Sequence, residues 1–200
     1  MKNFIKLVAC VVVVEGAGVV GSIFTTPNIS SWYDILIKPK LAPPNWLFAP
    51  VWTVLFAFMG IALYLVWQKR KVNFSVGSSK IWAWAVVLFF FQLLLNVLWS
   101  IIFFGFQNPA IAFLELLALW LAILATMVLF AKISFPAASL LLPYFLWVSF
   151  AGYLNYEIWQ LNSPISDSVA CSKEAKICPD GSVVWRVAPD CHFNECRKES

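Results

Sequence analysis

Long apolar segments alternate with short polar ones through most of the chain, and each is about as long as a helix that crosses a bilayer. Polar residues, basic residues, Gly or Pro separate the segments. The pattern predicts an all-α integral membrane protein, a bundle of five transmembrane helices. Pro143 predicts a kink in the last of them. The predicted helices cover approximately residues 4–24, 46–67, 81–104, 110–131 and 136–161.

The first apolar segment has two interpretations, a retained helix or a cleaved signal peptide. A charge at its centre, Glu15, the lack of a clean cleavage pattern and the four later segments favour retention. Glu15 fits a hydrogen-bonded packing residue as well as a functional carboxylate, so the sequence assigns it no role. Small residues spaced four apart predict close packing of one face against another helix. These residues are Ala17, Gly18, Gly21 and Ser22.

A loop of about twenty residues, 25–45, is predicted between the first two helices. Trp32 in this loop either rests at the lipid headgroups or covers a cavity. Pro43 and Pro44 fix an extended approach, so the second helix is expected to begin directly after them. Trp46 at the start of that helix can rest at the membrane interface. Trp52, six residues later, lies on a different face and can point inward.

Two helix faces carry candidate binding residues. Gln92, Asn96 and Trp99 share one face of the third helix. Amides are costly in hydrocarbon, so this face must meet another helix or a bound ligand. On the fifth helix the wide ring of Trp147 stands one turn from the small Ala151. This pair indicates either a slot for a flat ligand or ordinary packing between helices.

Composition narrows the class of protein. The chain is 62% hydrophobic and 12% charged, which excludes a soluble domain. It contains 11 Trp and 18 Phe, more than interfacial belts alone require. The net charge of +4 comes mainly from residues that flank the apolar segments, so no nucleic-acid partner is expected. No metal-binding cluster and no pair of nucleophile and base is evident in the sequence.

Residues 163–200 form a polar tail, separate from the membrane domain of residues 1–162. Its four cysteines favour two disulfides, in one of three possible pairings, over a zinc site, because no CxxC pair is present. Disulfides require an oxidising compartment. Cys10 in the first helix is expected to stay reduced. The tail cysteines are Cys171, Cys178, Cys191 and Cys196.

Basic residues predict the topology. Those in the short segments on the N-terminal side of the membrane outnumber those opposite, which places the N-terminus in the cytoplasm and the tail outside. A bacterial-type inner membrane is therefore expected. The N-terminal side carries Lys2, Lys6, Lys69, Arg70, Lys71, Lys80 and Lys132, against Lys38 and Lys40 on the other.

Several motifs recur in order along the membrane domain, and they resemble those of the TspO/MBR family, the tryptophan-rich sensory and translocator proteins. The match extends over all five helices. The motifs are Trp32-Tyr33, Lys38-Pro39, Pro43-Pro44-Asn45-Trp46, Ala49-Pro50-Val51-Trp52, Gln92 with Asn96 and Trp99, Phe103-Phe104-Gly105, Pro143-Tyr144-Phe145-Leu146-Trp147 and Leu154-Asn155-Tyr156.

The resemblance implies a five-helix bundle, commonly a homodimer, with a cavity under the first loop that binds porphyrins such as protoporphyrin IX. No intrinsic cofactor is implied. Trp52 and Trp147 resemble tryptophans linked to light-dependent porphyrin breakdown in some bacterial members. By matching motifs, the ligand-binding positions are Trp32, Trp52, Asn96, Trp99, Trp147, Ala151 and Leu154.

Two features depart from the family. No Lys or Arg follows Tyr156 within reach, so sterol binding through the family's sterol pattern is not expected. The cysteine tail lies outside the family core.

Three functions stay open: a porphyrin-binding protein in sensing, transport or regulation, which we favour; an enzyme that degrades porphyrin in light; and a structural or partner-binding protein that acts through its tail.

Overall fold

The computed structural model describes residues 1–71, 76–163, 175–178, 183–187, 192–193 and 196. It confirms the prediction of an all-α membrane protein, because five segments are long and apolar enough to cross a bilayer. These spans are Asn3–Tyr33, Asn45–Gln68, Ser79–Gly105, Pro109–Ile133 and Phe135–Leu161.

Six α-helices build the five spans. Short π-helical turns, Ile29–Tyr33 and Ile101–Gly105, extend α1 and α3, and a 3-10 turn, Asn45–Leu47, leads into α2. Asn108 caps α4, because its side chain accepts a hydrogen bond from the backbone N–H of Ile111 at 3.0 Å. The helices are α1 Lys2–Asn28, α2 Phe48–Gln68, α3 Val76–Ser100, α4 Pro109–Ile133, α5 Phe135–Leu140 and α6 Leu142–Leu161.

The predicted loop over residues 25–45 is wrong in its first part. α1 continues through Pro27 to Asn28, and the π-helical turn carries the chain on to Tyr33. Side chains stabilise this extension, because Asn28 donates to the Phe24 carbonyl at 2.9 Å and Ser31 donates to the Pro27 carbonyl at 2.8 Å. The irregular connection to α2 is therefore much shorter than the sequence predicted.

Where the sequence predicted a kink at Pro143, the fifth span is interrupted two residues earlier, at Leu141. α5 ends at Leu140, Leu141 forms a turn, and α6 begins at Leu142 with Pro143 in its first turn. Proline fits that place because the first N–H groups of a helix need no intrahelical partner. The break sets the direction of α6, which carries Trp147 and Ala151.

Close packing of α1 follows the small residues that the sequence singled out. A Cβ atom added to Gly18 would overlap the ring of Phe56 on α2, and one added to Gly21 would lie 3.2 Å from the Ser100 Oγ on α3. At Gly60 of α2 the same atom would lie 2.6 Å from the Cα of Val11. These glycines therefore let the backbones approach closely, as small residues do in membrane helices.

The described part of the tail contains three short antiparallel strands: β1 Ala175–Ile177, β2 Val183–Val187 and β3 His192–Phe193. β2 pairs with both β1 and β3. A disulfide joins Cys178 to Cys196, with Cα atoms 5.6 Å apart. Cys171 and Cys191 lie outside the described residues. Of the three pairings, only the one that joins these two is compatible with the observed bond. Cys10 is a free thiol.

Candidate ligand cavity

A cavity of about 270 Å³ lies between α1, α2, α3 and α6. Its walls are predominantly apolar, and aromatic rings from three helices and one π-helical turn form much of them. Small residues of α1 and α6 provide the remaining space. The aromatic wall residues are Phe48, Trp52, Phe56, Trp99, Phe104 and Trp147.

Five of the seven predicted ligand-binding residues lie on the cavity wall: Trp52, Asn96, Trp99, Trp147 and Ala151. The spacing that placed Asn96 and Trp99 on one face of α3, and the ring and gap on α6, are both reproduced. The other two predicted residues lie elsewhere, and their positions are described next. A ligand-binding role for the five stays a prediction.

Trp32 and Leu154 do not line the cavity. Trp32 lies in the π-helical turn after α1, and its ring packs edge-on against Phe103 at 5.5 Å between centroids. Its neighbour Tyr33 packs on Phe104, which is a wall residue. The π-helical turn Ile29–Tyr33 thus forms the cover of the cavity, and Trp32 packs behind it rather than on the cavity wall. Leu154 is buried elsewhere in the bundle, and helical spacing on α6 places either Leu154 or Asn155 on the face of Trp147 and Ala151.

The polar face of α3 meets α6, which answers the question that the sequence left open. The Asn96 amide donates to the Tyr144 hydroxyl at 3.1 Å, and that hydroxyl donates to the Gln92 Oε1 at 2.9 Å. The indole N–H of Trp99 donates to the Asn155 Oδ1 at 3.1 Å. Asn96, Trp99 and the Gln92 oxygen are thus paired between helices, and they fix one wall of the cavity, while the Gln92 Nε2 is buried with no hydrogen-bond partner among the described residues.

The connection between α1 and α2 is fastened to the end of α6. Asn162 accepts from the backbone N–H of Ile37 at 3.0 Å and donates back to the Ile37 carbonyl at 2.9 Å. Asp34 accepts from Asn45 at 2.8 Å and pairs with Lys38 at 3.0 Å. These two hydrogen bonds, the Asn45 one foremost, lower the pKa of the Asp34 carboxyl. Asp34 therefore stays ionised to a lower pH than an ordinary aspartate.

The cavity is open on one side, between α1 and α2. Wall residues on both helices are exposed there, Ser22 and Thr26 on α1 and Ala49 and Thr53 on α2. The Ser22 and Thr53 hydroxyls donate to carbonyls of their own helices, at 2.7 Å and 3.0 Å. Polar side chains that bond their own helix are compatible with surrounding lipid. The exposed residues of this side, Ser22 and Thr53 among them, lie within membrane spans.

Sequence reasoning assigned no site role to four residues that build this site, although it named Glu15 and considered Asn155 as the alternative to Leu154. Tyr144, Asn155 and Asn162 supply the hydrogen bonds just described, and Glu15 lies on the cavity wall. A signal for two of them was present, since Tyr144 and Asn155 extend the three-and-four spacing of Trp147 and its small neighbour along α6. No pattern in the sequence indicates that Asn162 reaches back to the first connection.

Five membrane spans, four of which enclose a tryptophan-walled cavity, define a tryptophan-rich polytopic membrane protein with an internal cavity. The chain belongs to the TspO/MBR family, whose sequence model matches residues 9–160. The match ends before the cysteine-containing tail.

Relatives from distant organisms agree with this assignment. A tryptophan-rich protein TspO of Chlorobaculum tepidum is 46% identical over 165 residues, which is 80% of this chain and 98% of the relative. The translocator protein of Bos taurus is 37% identical and aligns over 72% of this chain and 83% of its own length. The tryptophan-rich sensory protein of Cereibacter sphaeroides is 36% identical, over 66% of this chain and 77% of its own.

Proposed function

We propose that this membrane protein binds porphyrins such as protoporphyrin IX in the cavity, and that it acts in tetrapyrrole sensing, transport or regulation. The observation that carries the proposal is the wall itself. Trp52, Trp99 and Trp147 surround a space that Ala151 leaves open. Flat aromatic ligands stack on such rings, and a pocket with few polar groups suits a ligand whose faces are apolar.

The wall rings are held in place without a ligand. Trp52 stacks on Phe56 with centroids 5.4 Å apart, and Trp147 packs edge-on against Phe48 at 6.4 Å. Trp99 stacks on Phe103 at 5.1 Å. A pocket whose walls are already fixed binds with less loss of conformational entropy than one that must order its side chains. This supports binding as the primary function.

The volume of about 270 Å³ is slightly below the roughly 300–1,000 Å³ of typical ligand pockets. The open side between α1 and α2 compensates for this, since a ring larger than the enclosed space can extend past Ser22 and Thr53 toward lipid. We therefore infer that a bound porphyrin is only partly enclosed.

The membrane orientation belongs to the same proposal. Basic residues at one end of the bundle support an N-terminus in the cytoplasm of a bacterial-type inner membrane, with the cavity cover on the other side. The disulfide between Cys178 and Cys196 supports this, because disulfides persist outside the cytoplasm.

Titration of the detergent-solubilised protein with protoporphyrin IX in the dark tests the proposal. We expect saturable quenching of tryptophan fluorescence at micromolar ligand. Two residues of one helical region give a matched comparison, since Trp52 lines the cavity and Trp46 is 72% exposed. Trp52→Phe should lower the affinity for protoporphyrin IX and the extent of quenching. Trp46→Phe should leave the affinity unchanged, and quenching should still saturate. Absence of saturable quenching in the unmodified protein contradicts the proposal.

The same titration under illumination examines the enzymatic alternative. Trp52 and Trp147 both lie on the wall, where a bound porphyrin would contact them. Loss of the porphyrin absorption bands that requires light and either tryptophan would indicate degradation. Stable bands in light together with saturable binding would leave binding as the function.

A further inference from the structure

Glu15 is the acidic residue of the cavity wall, and the proposed function does not use it. Within span 1 it lies twelve residues after Asn3, which at about 1.5 Å per residue is roughly 18 Å along the helix. A side chain at this depth cannot reach water at either interface. Ionisable groups inside a membrane are costly and usually have a partner.

Glu15 has no such partner among the residues that the structure describes. Its carboxyl group makes no hydrogen bond and no ion pair within the part of the chain that the structure describes. The other polar wall groups are largely committed: Thr25 donates to the Gly21 carbonyl at 3.1 Å, and Trp99 donates to Asn155. The wall therefore holds an acceptor for which the ligand must supply the donor.

Close packing explains why Glu15 faces the cavity. Val11, one turn earlier on α1, lies against Gly60 of α2, and Gly18, about one turn later, lies against Phe56. These two contacts fix the rotation of α1 about its axis. Glu15 stands between them at the far end of the cavity from the π-helical turn, and Gly16 beside it has open space around it. The carboxyl group thus marks the floor of the site.

We propose that Glu15 is a specificity-determining residue that accepts a hydrogen bond from an N–H donor or a cationic amine on the buried edge of an aromatic ligand. The inference rests on the proposed function, because it concerns the same cavity. It also orients the ligand. A carboxylate, such as a porphyrin propionate, is repelled from the floor and must point toward the covered end.

Three forms of one porphyrin ring test this assignment. We compare protoporphyrin IX, its dimethyl ester and a derivative whose acid groups are replaced by aminoalkyl groups, in nanodiscs and in the dark. The measured quantity is the ratio of the affinities for the ammonium and ester forms. Glu15→Gln should lower this ratio about tenfold, the usual scale for loss of a charged hydrogen-bond partner. Unchanged ratios together with intact binding would overturn the role of Glu15 and leave porphyrin binding in place.

Glu115 provides the matched control. It is the acidic residue of α4, and its two buried carboxyl oxygens have no hydrogen-bond partner in the described part of the chain and lie away from the cavity wall. Glu115→Gln therefore removes a carboxylate from the same bundle without touching the proposed contact. We expect the affinity ratio of this variant to equal that of the unmodified protein. An equal drop in both variants would indicate a general charge effect and contradict the proposal.

A second measurement does not depend on porphyrin. Dicyclohexylcarbodiimide enters membranes and modifies carboxyl groups, and peptide mass spectrometry locates the adduct. Glu15 should react and Glu115 should not, since its oxygens are buried. Tryptamine should protect Glu15 better than 3-ethylbenzothiophene, which has a fused ring of similar size but neither an N–H group nor an amine. If no porphyrin binds, the proposed function fails, and this pair still decides the role of Glu15. Equal protection by both compounds, or none by either, overturns it.

Discussion

Two halves of the bundle both contain aromatic side chains, but one half is tightly packed and the other contains the cavity. One half, which we call the closed half, contains Val66, Phe89 and Phe130. All three residues are completely buried, and the two Phe rings stack with centroids 5.7 Å apart. In the cavity half, Trp52 and Trp147 are only half-buried and border empty space. An abundance of aromatic residues therefore does not by itself specify a binding cavity.

Small residues alone do not explain the difference either. Ala62 and Ala85 are small, and both are completely buried in the core. In the cavity half, by contrast, the large rings are fastened away from the space. Trp99 is hydrogen-bonded to Asn155, and Trp147 packs against Phe150 at 5.9 Å. A cavity persists where the surrounding rings have partners behind them, because they cannot then collapse into the gap.

The largest expected effect lies in the closed half. Phe130→Ala should lower the free energy of unfolding by about 3 kcal/mol, because it removes a completely buried ring and leaves a void. Porphyrin affinity of the folded fraction should not change, since Phe130 does not line the cavity. Denaturation in detergent and dark titration measure the two quantities. A loss of affinity without a loss of stability would show that the two halves are not independent.

The converse change is Trp147→Ala in the cavity half. It should weaken protoporphyrin IX binding about tenfold, or ~1.4 kcal/mol, because a stacking surface is lost. The loss of stability should be smaller than for Phe130→Ala, since the Trp147 ring already borders empty space. Fluorescence quenching and the same denaturation assay test this. An unchanged affinity would remove Trp147 from the binding site.

The sequence predicted the spans well because length and hydropathy determine them. It failed at the end of α1, where Thr25, Thr26 and Pro27 are typical of a helix stop. Side-chain hydrogen bonds to α1 carbonyls and burial of Tyr33 against Phe103 and Phe104 stabilise the continued helix there. The packing of Tyr33 involves residues distant in sequence, so periodicity within α1 could not reveal it.

The cavity was predicted in part for a similar reason. Trp99 and Ala151 were found because helical spacing places them on inward faces. Which neighbours lie behind those faces depends on the packing of α6 against α3, so Tyr144 was not assigned and the choice between Leu154 and Asn155 stayed open. Glu15 was left without a role because its direction depends on how Gly18 and Gly60 fix α1. Resemblance to the family identified wall positions, and geometry was required for the rest.

The smallest expected effect concerns the width of the gap at Ala151. A larger side chain there fills space that a flat ligand needs, so Ala151→Thr should weaken porphyrin binding several-fold, about 1 kcal/mol. The hydroxyl of the new Thr can also affect the helix itself. Hydroxyls in these helices donate to the carbonyl four residues earlier, as Ser149 does to Phe145 at 2.8 Å. A Thr at position 151 would reach the Trp147 carbonyl in this way and bend α6.

Ala151→Val separates the two causes, because Val matches Thr in shape and lacks the hydroxyl. Equal losses of affinity in both variants, measured by quenching in the dark, would show that volume narrows the cavity. A loss confined to Thr would show that bending of α6 displaces Trp147. Either result keeps Ala151 in the cavity half, where the aromatic wall depends on one small residue for its opening. Unchanged affinity in two folded variants would place the ligand elsewhere. The difference between the closed half and the cavity half would then not indicate where the protein binds its ligand.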